Sequence, residues 1–258
     1  MTIDVNTLIE HLSIILSGGL IEKARFQPDL SCATLSLDCE LGIIARAPEA
    51  DGTLSSEFGI YDIGQLIQAL KSFVGDVHLS LVKNQLVLKG QTSEDSNMTL
   101  AWVLADDSGI QAGAVTDDDD KNDIMDTSNA ESWLTTQMDS AKGSFDISPK
   151  VLKDLKLLSN EKGPVKAVKV KIKVTNHIVT LTMIGMPGNN REARLTVGNC
   201  GALDCTCVVN SNLLKNAMSG MSIDAEHPLQ VWLCPDNVLL RHRDGKYISF
   251  LSLVEEVK

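Results

Sequence analysis

The sequence predicts an α+β fold made of two similar domains. Two observations carry this. Residues 58–90 read as strand, helix, strand, turn and strand, and the same order of elements returns at 208–240. The apolar residues, 43% of the chain, fall into short helical or alternating patterns and never into a run of eighteen. Two repeats are too few for a solenoid, so the pattern predicts two domains. Their limits are read as 1–107 and 143–258, with an acidic connector at 108–142.

The first helix is expected over Val5–Leu16, where Leu8, Ile9, Leu12, Ile15 and Leu16 share one side and Gly18-Gly19 stops the helix. Weak alternation through Leu20–Arg46 predicts two or three strands, and Pro48–Gly52 a loop. Phe58 and Ile60 end a short strand. Asp62 then stands where an N-cap belongs, Leu66, Ile67, Leu70 and Phe73 follow at helical spacing, and Gly75 is expected to close the helix. Val77, Leu79 and Leu81 alternate with His78 and Ser80, Lys83-Asn84 turns the chain, and Leu86 and Leu88 return as a strand. Met98–Ala105 is the last strand of the first domain.

The connector is acidic and weakly periodic, which predicts a mobile segment. Ile124-Met125 and Trp133-Leu134 are its sizeable apolar pairs, able to pin it to the body. The second domain opens with a strand from Gly143. Ser148-Pro149 is a cap followed by proline at the first helical position, and Leu152 and Leu155 are expected to face inward. Val168, Val170, Ile172 and Val174 alternate with Lys169, Lys171 and Lys173, a strand with one wet face. Further strands follow to Val209. Asn210 then caps a helix in register with the one after Asp62, Leu214 matching Leu66 and Ala217 matching Ala69. Asp244-Gly245 turns the last hairpin.

Composition excludes several classes. The N-terminus carries an early acid and no basic stretch before an apolar one, so no signal peptide is read, and the chain is expected in the cytoplasm. The formal net charge of −11 would repel nucleic acid, but ten acids against Lys121 alone lie between Asp106 and Asp139. The remainder is close to balance. Cys200, Cys205 and Cys207 form C-x4-C-x-C; zinc binding stays open, while buried strand thiols are favoured because no partner pair follows. Arg241-His242-Arg243-Asp244 contains H-R-D without the other kinase motifs. The five histidines are scattered, and no cofactor or metal is predicted.

The stretch I-Y-D-I-G-Q-L-I-Q-A-L-K-S-F-V, the hairpin after it and M-T-L-A-W-V-L-A-D at Met98–Asp106 resemble the sliding clamps, or polymerase processivity factors, of T4-like bacteriophages. So do V-V-N-S-N-L-L-K-N-A-M, L-Q-V-W-L and the closing Y-I-S-F-L-S-L-V-E. The likeness covers both ends of each domain and fades between them. It implies two processivity-clamp domains, each with two helices on an antiparallel sheet, closing as a homotrimer around double-stranded DNA without sequence preference and without catalysis. It implies that the helices face the hole, where Lys71, Lys150, Lys153, Lys156 and Lys215 would meet DNA, while Lys169, Lys171 and Lys173 face solvent. It implies a pocket for the DNA polymerase C-terminal tail, with Ile124, Met125, Leu251 and Leu253 as candidates, although core burial serves the two leucines equally well. A clamp loader is a further implied partner, and some phage clamps also serve late transcription; no membrane is implied. Two other readings stay open: a clamp-like scaffold that never encircles DNA, and an enzyme using the thiols or aspartates.

Overall fold

The computed structural model describes residues 1–38, 40–93, 96–105, 127–158, 165–185, 192–199, 201, 203–221, 223 and 227–254. The chain divides into two compact units, Met1–Cys39 with Ile43–Ala130, and Glu40–Gly42 with Glu131–Lys258.

The first unit runs β1 (Thr2–Asp4), α1 (Val5–Leu16), β2 (Ala24–Phe26), β3 (Cys32–Leu35), β4 (Leu41–Ala45), β5 (Phe58–Ile60), α2 (Ile63–Leu70), β6 (Phe73–Val82), β7 (Gln85–Thr92) and β8 (Asn97–Val103); the first two residues of β4 count with the second unit. After α3 (Thr127–Asp139) come β9 (Gly143–Ile147), α4 (Pro149–Leu158), β10 (Ala167–Thr175), β11 (Ile178–Gly185), β12 (Glu192–Asn199), β13 (Cys205–Asn210), α5 (Ser211–Ala217), β14 (Leu229–Leu233), β15 (Asn237–His242) and β16 (Tyr247–Ser252). Apart from α3, this is the first series again, element for element. Pairing repeats as well. The order β1-β6-β7-β8 in one unit matches β9-β14-β15-β16 in the other, and antiparallel β2-β5 matches β10-β13. The internal repeat therefore extends over almost the whole of both units, beyond the helix-and-hairpin part legible in the sequence.

Local chemistry starts each helix. The Asp62 carboxylate accepts the Gln65 amide at 2.7 Å, and the Asn210 side-chain oxygen accepts the Asn212 amide at 2.8 Å. Asp4 caps α1 in the same way, its carboxylate accepting the Thr7 amide at 2.9 Å. Below the caps, Leu66 and Leu214 are buried at matching positions. In the first unit α1 packs on α2, and Val77 and Leu79 of β6 reach the same core.

Two expectations change. Gly75 does not close a helix: α2 ends at Leu70, and Phe73 already belongs to β6. Gly75, at φ 66°, sits where the β6–β7 register slips between Val74 and Val77, a bulge whose left-handed backbone favours glycine. Phe73 is buried there, and since a helix or a strand could carry it inward, apolar spacing does not separate them. The second change is α3, which occupies a stretch expected as loop. Its Leu134 is buried, and Trp133 lies against Phe250 of β16 with ring centroids 4.9 Å apart. These are the two apolar residues the sequence marked as a pin. Pro187-Gly188-Asn189-Asn190, which reads in the sequence as a turn between two strands, lies outside the described residues.

Candidate nucleic-acid interface

The second unit carries most of the basic helix residues, and α4 shows how they are sorted. Successive residues turn by about 100° around a helix, so Leu152 and Leu155, both buried, define its inner side. Lys150 and Lys153 fall on the opposite side and are exposed; Leu157, also there, is 59% exposed. Lys156 falls on the flank next to Leu152 and is half-buried. Its Nζ donates to the Met221 carbonyl at 3.1 Å, and burial pushes its pKa below the ordinary lysine value. Lys153 and Lys156 share an open cavity of about 220 Å³ with Pro149, Leu152 and Ile223.

Lys215 lies half-buried in the last turn of α5, where the carbonyl end of the helix favours a cation. In the first unit, exposed Lys71 caps the C-terminus of α2, its Nζ donating to Gln68 Oε1 at 3.1 Å. Thus α4 carries Lys150, Lys153 and Lys156 in succession around its surface, and among the described residues Lys156 is held by a carbonyl. Lys169, Lys171 and Lys173 lie on the wet face of β10, opposite buried Val170, Ile172 and Val174.

The candidate pocket residues separate. Leu251 is fully buried opposite Val238 in the β15–β16 ladder, so its side chain serves the core. Leu253, beyond the end of β16, is half-exposed, and its amide donates to the Asp236 carbonyl at 3.4 Å. Ile124 and Met125 lie outside the described residues, as does Cys200. Cys205 and Cys207, both only half-buried, share the side of β13 that meets Val174 and Ile172. Burial pushes Cys207 up to about 12, and among the described residues no metal-ligating cluster occurs.

Edge strands were not legible in the sequence. Among the described residues, the last strand in the order β1-β6-β7-β8 is β8, and in β13-β10-β11-β12 it is β12. Their inward positions, Leu100 and Trp102 on β8 and Leu195 and Val197 on β12, are only half-buried. Half-covered apolar side chains on an edge strand mark a surface suited to pairing. Within the second unit, the start of β4 is held by β16: the Ser252 amide donates to the Glu40 carbonyl at 2.9 Å, and Gly42 lies under the Phe250 ring.

No family model and no curated protein matches the chain. Solved structures do. The PCNA of Thermococcus kodakaraensis superposes with a TM-score of 0.68 at 12% identity, over 98% of both chains. The proliferating cellular nuclear antigen of Entamoeba histolytica gives 0.64 at 14% identity, over 98% of this chain and 96% of that one. The DNA polymerase III subunit beta of Pseudomonas aeruginosa gives 0.64 at 13% identity, over all of this chain and 65% of that longer one. Likenesses at such low identity establish architecture alone, and the architecture they establish is the two-domain sliding-clamp fold.

Proposed function

We propose that the chain is the subunit of a T4-like phage sliding clamp, a homotrimeric ring that encircles duplex DNA and tethers the replicative polymerase, in the host cytoplasm. The observation that carries this reading is the pair of edges β8 and β12. Each ends its sheet with half-covered apolar side chains, so β8 of one subunit and β12 of the next are suited to join head to tail. Repetition of a head-to-tail pairing closes a ring when its rotation divides a full turn. Two domains per subunit then give six in a trimer. The match over 98% of both chains to a PCNA supports the two-domain count.

In such a ring the protein holds DNA by enclosure. The lysines of α2, α4 and α5 supply long-range attraction to phosphate without reading bases, which permits sliding. No bond is made or broken, so no catalytic group is required. The partners implied are duplex DNA, the polymerase C-terminal tail and a clamp loader, with late-transcription factors added by the phage resemblance. Leu253, together with Ile124 and Met125, is proposed for the tail pocket, with Leu251 supporting it from the core.

Mass measurement in solution tests the oligomer, and stimulation of primed-template synthesis by the cognate polymerase tests the function. A trimer with a central hole and longer products is expected. A stable monomer at micromolar concentration overturns the ring, and a trimer without stimulation leaves a clamp-like scaffold.

A further inference from the structure

We infer that the exposed face of the β12-β11-β10-β13 sheet is a docking surface for an extended acidic segment of a partner protein. Lys169, Lys171 and Lys173 share one face of β10, because alternate residues of a strand point the same way. The ladder sets Thr182 of β11 beside Lys171 and Arg194 of β12 beyond it, so Arg194 joins that face. Its side chain is 72% exposed. In the three cross-strand rows that hold these lysines the one carboxylate is Glu192, 3.4 Å from Arg194. The face is therefore cationic in a protein whose formal net charge is −11.

The fold does not demand these charges. The counterpart strand β2 carries one cation, Arg25, and Glu57 pairs with it at 2.8 Å. Spacing and chemistry identify the occupant. Lysines at every second residue repeat at about 6.7 Å, the repeat of alternate side chains in any extended peptide. An acidic segment with carboxylates at alternate positions thus meets the stripe in step. Single-stranded nucleic acid is the less suitable occupant, because the three rows hold no aromatic side chain on which bases could stack. The surface belongs to each subunit whether or not a ring closes.

Fluorescence anisotropy of the full-length chain tests this with three labelled probes: a ten-residue peptide alternating Glu and Ser, oligo-dT of ten nucleotides, and a 20-base-pair duplex. The peptide is expected to bind, more weakly as salt rises, and to lose about fivefold or more in affinity when Lys169, Lys171 and Lys173 are all changed to Gln. Arg194→Gln should weaken it further, while Lys150→Gln with Lys153→Gln should leave it unchanged. Circular dichroism melts confirm that each variant is folded. Should the lysine triple variant not fold, Arg194→Gln and Lys173→Gln separately must each weaken the peptide. Failure of the peptide to bind, equal binding by the folded variants, or a stronger effect of the triple variant on either DNA probe overturns the inference.

Discussion

The ammonium of Lys156 donates to the Met221 carbonyl, tying the last turn of α4 to the segment after α5 across 3.1 Å. Lys150 and Lys153 on the same helix are exposed. Three lysines that look alike in sequence are thus two kinds of residue.

Removing the first kind should cost stability. Lys156→Ala leaves the Met221 carbonyl without this donor and should destabilise by about 1 kcal/mol in urea unfolding. Lys150→Ala and Lys153→Ala should each stay within about 0.5 kcal/mol. Changing Lys150 and Lys153 together to Glu should instead reduce clamp loading and processive synthesis, with the deficit growing as salt falls, because the new repulsion is less screened. The triple change of Lys169, Lys171 and Lys173 to Glu should leave synthesis on DNA nearly unchanged. If the strand lysines prove the damaging set in a primer-extension assay, the helices do not face the duplex.

Gly42 admits no side chain. A Cβ there would run into the ring of Phe250, itself backed by Trp133 at 4.9 Å. Gly42→Ala should destabilise by about 1–3 kcal/mol through overpacking. Phe250→Leu in the same chain should recover part of that loss, since it removes the ring the methyl strikes; thermal melts of the single and double variants check both.

The two equivalent helix caps should respond alike. Asp62→Ala and Asn210→Ala each remove the acceptor of a first-turn amide, at 2.7 Å and 2.8 Å, and should cost about 1 kcal/mol apiece. Asp62→Asn should be nearly silent in unfolding titrations.

Alkaline pH should destabilise the protein before it reacts with its thiols. Burial pushes Cys32 and Cys207 up to about 12 and Cys234 to about 11, from an ordinary 9.0. Between 9.0 and those values the unfolded chain releases thiol protons that the folded chain keeps. The stabilising difference is complete below 9.0 and is lost as pH rises through the folded values. Lys156 acts oppositely: its lowered pKa makes stability rise with pH up to 10.5. Three thiols outweigh one lysine, so the melting temperature should fall above pH 9. A thiol reagent at pH 8 should label these three cysteines slowly in the native chain and promptly in denaturant.

The sequence by itself determined what depends on neighbours a few residues apart. Asp62 and Asn210 cap because their oxygens reach amides two or three positions on, and β10 has a wet and a dry face because side chains alternate. The same local rules made half of each repeat legible. Tertiary structure decided the rest. Phe73 satisfies a helix or a strand, and only pairing with Thr92 assigns it to β6. Helix α3 has little apolar periodicity of its own and is held by Trp133 on Phe250, a contact between residues over a hundred positions apart. Lys156 is tied by a carbonyl 65 positions away, and β8 and β12 end their sheets because of which strands pair beside them. These outcomes rest on partners distant along the chain, which no local period encodes.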